Sequence, residues 1–288
     1  MSWWIFALIA AAFLALADIL GKKYLNKIHA LEFTTELSFY GFVLSLFFIP
    51  WVQWQMPIET FWLIALNGFV WTLAFLFFNK ALRNGDASEV IPLAKLKVIS
   101  TLIFAVIILS DIPQPINFVG LFLIFIGAYL IELKPGLNIL NPLRAFQHSK
   151  HLLMLLVSVT LYGVTSVLTK IILQDVSVVT TIFFLNTFLL LGYIVLDTLF
   201  HKENITKLRF NLKDHGWGVF WTALAFFIAR FNIKMALLLG SVVLANAVFG
   251  LNALIVVLVG GTLLREKGLH RRLFASGLLI IGAVLTIL

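Results

Sequence analysis

Cysteine is absent from the 288 residues. That removes a disulfide framework and any thiolate metal site, and it leaves the redox compartment open. Charge is scarce as well: 12% of the chain is charged and 61% is hydrophobic. A soluble globular chain is nearer half apolar and a quarter charged. At a mean hydropathy of +1.05 there is too little polar surface to cover a water-soluble body of this size. The composition is that of a polytopic membrane protein. Catalytic patterns are missing too. No phosphate-binding glycine loop, no Gly-x-Ser-x-Gly and no His-Glu-x-x-His occurs. His29, His148, His151, His201, His215 and His270 fall in loops or at span ends. His148 and His151 stand three apart, but no carboxylate supports a metal site there. The expectation is a protein that is not an enzyme and carries no metal or cofactor. The first apolar run starts at Trp3 with no basic residue before it and no small-residue cleavage pattern after it. It reads as a retained span and not as a signal peptide.

What the chain does have is ten apolar runs of spanning length, at about 3–20, 33–51, 60–79, 87–109, 116–132, 152–173, 177–197, 217–236, 242–264 and 273–288. Only the connections 133–150 and 198–216 are long. The first holds Pro135-Gly136, Asn141-Pro142 and a basic cluster at the middle of the chain. It divides a first unit (1–134) from a second (151–288) through a joint at 135–150. The two units repeat each other. Shifted by 155 places, residues 80–132 align with 235–287 without a gap. Ala81-Leu82 meets Ala236-Leu237, Gly85 meets Gly240, Asp111 meets Glu266, and Gly127-Ala128 meets Gly282-Ala283. Five spans is an odd number, so a second copy of the same fold enters the membrane upside down. The predicted fold class is therefore all-α integral membrane, ten transmembrane helices arranged as two inverted five-helix repeats. In that architecture a solute site lies near the midplane between the repeats.

The net charge of +8 does not point to nucleic acid, because the basic residues sit in short loops between apolar runs. Sixteen of the 21 fall in loops 21–32, 80–86, 133–151, 198–216 and 264–272. The positive-inside rule places those loops in the cytoplasm and both termini outside the cytoplasmic membrane. Trp3, Trp4, Trp51, Trp54 and Trp62 fall at the opposite boundary, where amphipathic rings settle.

Several charged residues lie inside the predicted spans: Asp18, Glu36, Glu89, Lys95, Lys97 and Arg230. A charge at that depth costs at least about 2.5–3.5 kcal/mol, so such residues face a bundle interior or a watery cavity. On a regular helix Lys95 and Lys97 point about 200° apart, so one lines a site while the other pairs elsewhere or snorkels. Glu89 and Lys97 lie within about 80° and share a face. Pro92, between them, is predicted to kink the helix and free carbonyls toward the cavity. The second copy has Leu244, Gly250 and Asn252 where the first has Glu89, Lys95 and Lys97, and Asn246 in place of Ile91. The substrate-binding candidates are Lys97, Lys95, Arg230, Glu89 and Asn252. Asp18 reads in two ways: as a proton or cation coupling carboxylate, or as an interfacial acid paired with Lys22 four residues on. Lys234 shares a face with Arg230 and is expected to snorkel. Asn67 and Asn186 are expected to serve helix packing, and Gly120, Gly127, Gly277 and Gly282 to permit close helix approach. The bland alternative for the charged cluster is a buried ion network that fixes helix packing.

These features resemble the drug/metabolite transporter superfamily, specifically its ten-helix EamA-like members. The residues that carry the resemblance are Pro92 in the fourth span, the acids Asp111 and Glu266, and the Gly-Ala pairs at 127–128 and 282–283, within two five-span repeats. The string Ala17-Asp18-Ile19-Leu20-Gly21 is also similar to the first-helix A-E-[VI]-[IL]-G pattern of small multidrug resistance proteins. There the acid is the shared proton and cation site, and the likeness carries over to Asp18 alone. The chain departs from the family in having Ala247 where relatives carry proline, and in the charged Lys95 and Lys97.

The resulting expectation is a secondary transporter that works by alternating access on a small polar or amphipathic metabolite. The first choice is export of an amino acid or similar compound. A phosphorylated or sugar-linked solute and a lipid carrier are the transport alternatives; a non-transporting scaffold and an integral-membrane enzyme are the rivals of other classes. Expected partners are the small-molecule substrate and the lipid bilayer, with no nucleic acid, in a monomer or homodimer.

Overall fold

The computed structural model describes residues 2–85, 90, 93–132, 149–200, 216–252, 254–256 and 269–287. Among them are ten α-helices and no strand. They are α1 (Trp3–Leu25), α2 (Ala30–Leu46), α3 (Ile58–Asn84), α4 (Lys97–Leu109), α5 (Pro115–Glu132), α6 (Lys150–Asp175), α7 (Val178–Phe200), α8 (Gly216–Leu239), α9 (Val242–Phe249) and α10 (Leu269–Ile287). Helix is what such a sequence must form in lipid, because it satisfies every backbone group within one segment. Five of the described helices, α1, α3, α6, α7 and α8, are long and apolar enough to cross a bilayer. The others are shorter or broken. The second predicted span, 33–51, is α2 followed by a short 3-10 turn at Ile49–Trp51, where Pro50 removes a backbone donor.

The helix pairings come in matched sets. α1 packs along α8 as α6 packs along α3; α4 meets α6 as α9 meets α1; α7 meets α3 as α2 meets α8. α5 with α10, α2 with α7 and α4 with α9 are pairs between helices of equal rank in the two halves. Small residues make the closest of these contacts. On α1, Ala7, Ala10, Ala11, Ala15 and Ala17 are all buried, which lets neighbouring backbones approach. At the α5–α10 crossing a methyl on Gly127 would stand 2.8 Å from the Ala275 carbonyl oxygen and 2.9 Å from Leu279 Cγ. A methyl on Gly282 would stand 2.6 Å from the Gly120 carbonyl oxygen and 2.8 Å from the Ile124 nitrogen. Positions 120, 124 and 127 become 275, 279 and 282 under the same shift of 155. Gly277 departs from the expectation, since a methyl there meets nothing within 4 Å among the described residues.

Two lysines close the third helix of each half in the same way. The Lys22 ammonium donates to the carbonyls of Leu82 (2.5 Å) and Gly85 (2.7 Å) at the end of α3. Lys170 donates to those of Leu237 (2.7 Å), Leu238 (3.3 Å) and Gly240 (3.0 Å) at the end of α8. The last carbonyls of a helix have no partner within it, and its C-terminus favours positive charge. Lys22→Met and Lys170→Met are each expected to cost about 1–2 kcal/mol. Melting of purified protein in detergent checks this. Two variants that melt with wild type would show that the lysines are ornamental.

Candidate functional site

In the fourth span of each unit a turn falls at the same place: α4 begins just after it, and α9 ends just before it. A 3-10 turn at Ala94–Leu96 precedes α4, and a turn at 250–251 follows α9 before the chain is helical again at Asn252. The sequence reading had continuous helices over 87–109 and 242–264, with the first kinked at Pro92. Pro92 and Glu89 lie outside the described residues, as does the side chain of Lys95, whose backbone is in the 3-10 turn. In the second half the break falls on Gly250, a residue that weakens a helix by up to about 1 kcal/mol relative to alanine. Lys97 and Asn252 follow the two breaks directly and are equivalent under the 155 shift. Irregular backbone at membrane depth is tolerated only inside protein or beside a water-filled cavity, and here it borders a cavity.

That cavity holds about 120 Å³ and is lined from α1, α3, α4, α6, α8 and α9. Asp18, Lys97, Arg230 and Asn252, assigned to the site from sequence, all line it. Asp18 is only 5% exposed, and its Oδ2 accepts from Asn252 Nδ2 at 2.8 Å. Its charge also acts on Lys97. The Lys97 ammonium stands 5.9 Å from the ring centroids of both Tyr162 and Phe249. The Arg230 guanidinium lies over Trp71 at 4.3 Å, with Phe75 and Phe226 at 5.6 and 5.9 Å. One of its terminal nitrogens donates to Asn186 Oδ1 at 2.9 Å. Its Nε is buried with no acceptor among the described residues.

Lys234 corrects the sequence reading. It does not snorkel; it is 7% exposed and lines the same cavity one turn beyond Arg230. Five further residues of α8, about 7.5 Å of helix, separate it from the helix end, and Lys170 already occupies that end. Asn186, read as a packing residue, holds Arg230. Asn67 does serve packing, donating to Thr169 Oγ1 at 3.0 Å. Trp71 and Tyr162 were missed. Trp71 carried a signal, because it alone among the tryptophans at 51–71 lies deep within a predicted span.

Positions related by the shift of 155 line the wall in pairs of unlike residues. Under the same shift Trp71 pairs with Phe226, Phe75 with Arg230, Phe78 with Ile233 and Lys97 with Asn252, and all eight line the cavity. Among the described lining residues there are three cations, Lys97, Arg230 and Lys234, and one carboxylate, Asp18. The aromatic faces hold cations while leaving their hydrogen-bond donors available.

Apolar membrane-length helices around a buried, charged cavity are the construction of a membrane transporter. The comparisons give the family. The EamA-like transporter family model matches residues 1–133. A protein of Sinorhizobium sp. described as an uncharacterized transporter in the cobO 3' region is 32% identical over 136 residues, 45% of this chain and 96% of that protein. The chain belongs to the EamA-like transporter family, and it is a multi-pass membrane protein of the drug/metabolite transporter superfamily. A solved crystal structure shares the fold with a TM-score of 0.71 at 15% identity, over 98% of this chain and 94% of that one.

Proposed function

We propose that this chain is a secondary transporter that carries a small organic solute with an anionic group through the central cavity by alternating access. The observation that carries this reading is the pair of buried cations on α8, Arg230 and Lys234, which line the cavity with no ion pair to an acid among the described residues. Arg230 has an Nε with no acceptor among the described residues, and Lys234 lines the cavity one turn further along α8. A structural ion network would pair its charges, because an unpaired buried charge is costly; a binding site leaves them for the ligand.

In this reading Arg230 and Lys97 meet the anionic group and Asn252 orients it. Asp18 receives an amine or a proton. Lys95 and Glu89 stay candidates at the entrance to α4, with Pro92 as the kink. The repeats are 1–134 and 151–288, joined by 135–150, in opposite orientation, with loops 21–32, 80–86, 133–151, 198–216 and 264–272 in the cytoplasm. The matched helix pairings and the twice-used lysine caps support that arrangement. So does a relative matched over nearly its full length by less than half of this chain. One end of the bundle is knitted between the halves. Asp111 Oδ2 accepts from Ser241 Oγ at 2.8 Å and from the Val242 N–H at 3.0 Å. Thr60 donates to Asp175 at 2.6 Å, and the Gln53 amide oxygen accepts from the Ser177 N–H at 2.8 Å. Opening that end during transport requires these bonds to part. The first choice from sequence was export of an amino acid, whose carboxylate would meet Arg230 and whose amine would meet Asp18; the excess of cations in the cavity favours a more anionic solute.

The test is flux in proteoliposomes under a proton gradient. Asp18→Asn is expected to lower transport about 100-fold and to remove its dependence on the gradient, while protein yield and melting stay near wild type. Undiminished, gradient-driven flux in Asp18→Asn would take the coupling role from this residue. A wild-type protein that moves no solute of any class would favour the scaffold.

A further inference from the structure

We infer that the cavity takes an organic anion whose head carries two negative charges, a phosphate monoester or a dicarboxylate, on an apolar and preferably aromatic body. The inference rests on the transport reading of this cavity and narrows its substrate.

The charges are distributed unevenly. Asp18 holds Asn252, and Lys97 lines the same cavity. Arg230 and Lys234 stand one turn apart on a single face of α8, and the hydrogen-bond partner of Arg230 is a neutral amide. Counted with both lysines protonated, the described lining residues carry an excess of two positive charges. A zwitterionic amino acid removes none of that excess, and a monoanion removes one charge. A dianion removes both, and in a low-dielectric site the neutralising ligand is the favoured one. The donors suit such a head. The i, i+4 spacing puts the two cations about 6 Å apart along the helix, the Arg230 guanidinium supplies a planar forked donor, and the Lys234 ammonium supplies a mobile point charge. Beside them a second cavity of about 10 Å³, lined by Trp71, Asn186, Arg230 and Lys234, has room for roughly one water. The body of the solute is specified by Trp71, Phe75, Phe78, Tyr162, Phe226 and Phe249, which line the main cavity. The carboxylate of Asp18 in the same wall repels a second anionic end, so the two charges belong to one head.

The test is ligand binding to the purified full chain in detergent, read by thermal shift and by titration. The probes are phenyl phosphate, phenylsuccinate, phenylacetate, phenylalanine and inorganic phosphate. At least one of the two dianions with a ring is expected to bind about tenfold or more tighter than phenylacetate, and phenylalanine to give no shift. Which of phenyl phosphate and phenylsuccinate leads identifies the head as phosphate or dicarboxylate. Inorganic phosphate, lacking the ring, is expected to trail phenyl phosphate. Lys234→Gln should erase the preference for two charges, and Lys234→Arg should restore most of it. Preference for phenylalanine or phenylacetate over both dianions, still sensitive to Lys234→Gln, overturns the dianion and leaves the cavity as the transport site. Binding that ignores Lys234→Gln, Lys97→Gln and Asp18→Asn alike overturns both readings. The absence of any shift also overturns the dianion. If Lys234→Gln does not fold, the wild-type ranking of the five probes decides by itself.

Discussion

Arg230→Met reduces transport by a factor of about 1,000 or more and leaves the melting temperature within a few degrees of wild type. The two halves of this result have separate causes. Arg230 is the most elaborately held cation in the cavity, stacked on Trp71 at 4.3 Å and tied to Asn186 at 2.9 Å. That support fixes the direction of the guanidinium before a ligand arrives. A charge-assisted, two-pronged contact to an anion made in a dry site has no substitute in a thioether. Stability responds differently. Removing a buried cation that has an unsatisfied Nε relieves a desolvation cost, and methionine fills nearly the same space. Against this, Asn186 Oδ1 loses its donor, a cost of about 1–3 kcal/mol. The two terms roughly offset. Arg230→Lys is expected to lose transport as well, by about 10- to 100-fold, because an ammonium neither stacks as a plane nor presents a fork. Flux in proteoliposomes and melting in detergent, on the same preparations, check both halves. Transport within about threefold of wild type in Arg230→Met would remove this residue from the site.

Gly282→Ala and Gly127→Ala each destabilise the protein by about 1–3 kcal/mol. The reason is what the methyl meets. At Gly282 it would stand 2.6 Å from a carbonyl oxygen of α5, and at Gly127 2.8 Å from one of α10. A side chain can rotate away, but helix backbone cannot. α5 and α10 would have to part, and every contact along the seam would weaken together. In lipid there is no hydrophobic force between helices to compensate, since tail and side chain are equally apolar. Gly277→Ala on the same α10 is the control. Nothing among the described residues lies within 4 Å of its methyl, so it is expected to be neutral or to stabilise by up to about 1 kcal/mol. Melting temperatures of the three variants give the comparison. Equal behaviour of Gly282→Ala and Gly277→Ala would show that the crossing is looser than the geometry states.

Asp18, Lys97, Arg230 and Asn252 could be picked out from sequence because a charge or amide in an apolar run is expensive and has few explanations. Gly127 and Gly282 could be paired because the chain states the same pattern twice. Lys234 was misread because sequence gives distance to a span end but not which end another lysine already fills. Lys22 was weighed as the partner of Asp18 because i, i+4 neighbours are visible in sequence; the α3 carbonyls it caps lie about sixty residues away and are not. Asn186 was marked in sequence only as a polar residue inside a span, because its partner Arg230 lies on another helix.

By itself, then, the sequence determined the solvent, the helical class, the internal repeat and the identity of most charges that cannot face lipid. These follow from composition, periodicity and desolvation cost, each a property of a segment. The tertiary structure alone decided that α4 and α9 break at equivalent points. It decided that four distant charged and amide groups share one cavity, that Lys234 joins them, and that Trp71 and Asn186 hold Arg230 in place. Those facts depend on which helix faces which, and in a chain apolar on nearly every face the hydrophobic pattern does not encode the choice. Small residues at crossings and hydrogen bonds between distant segments do.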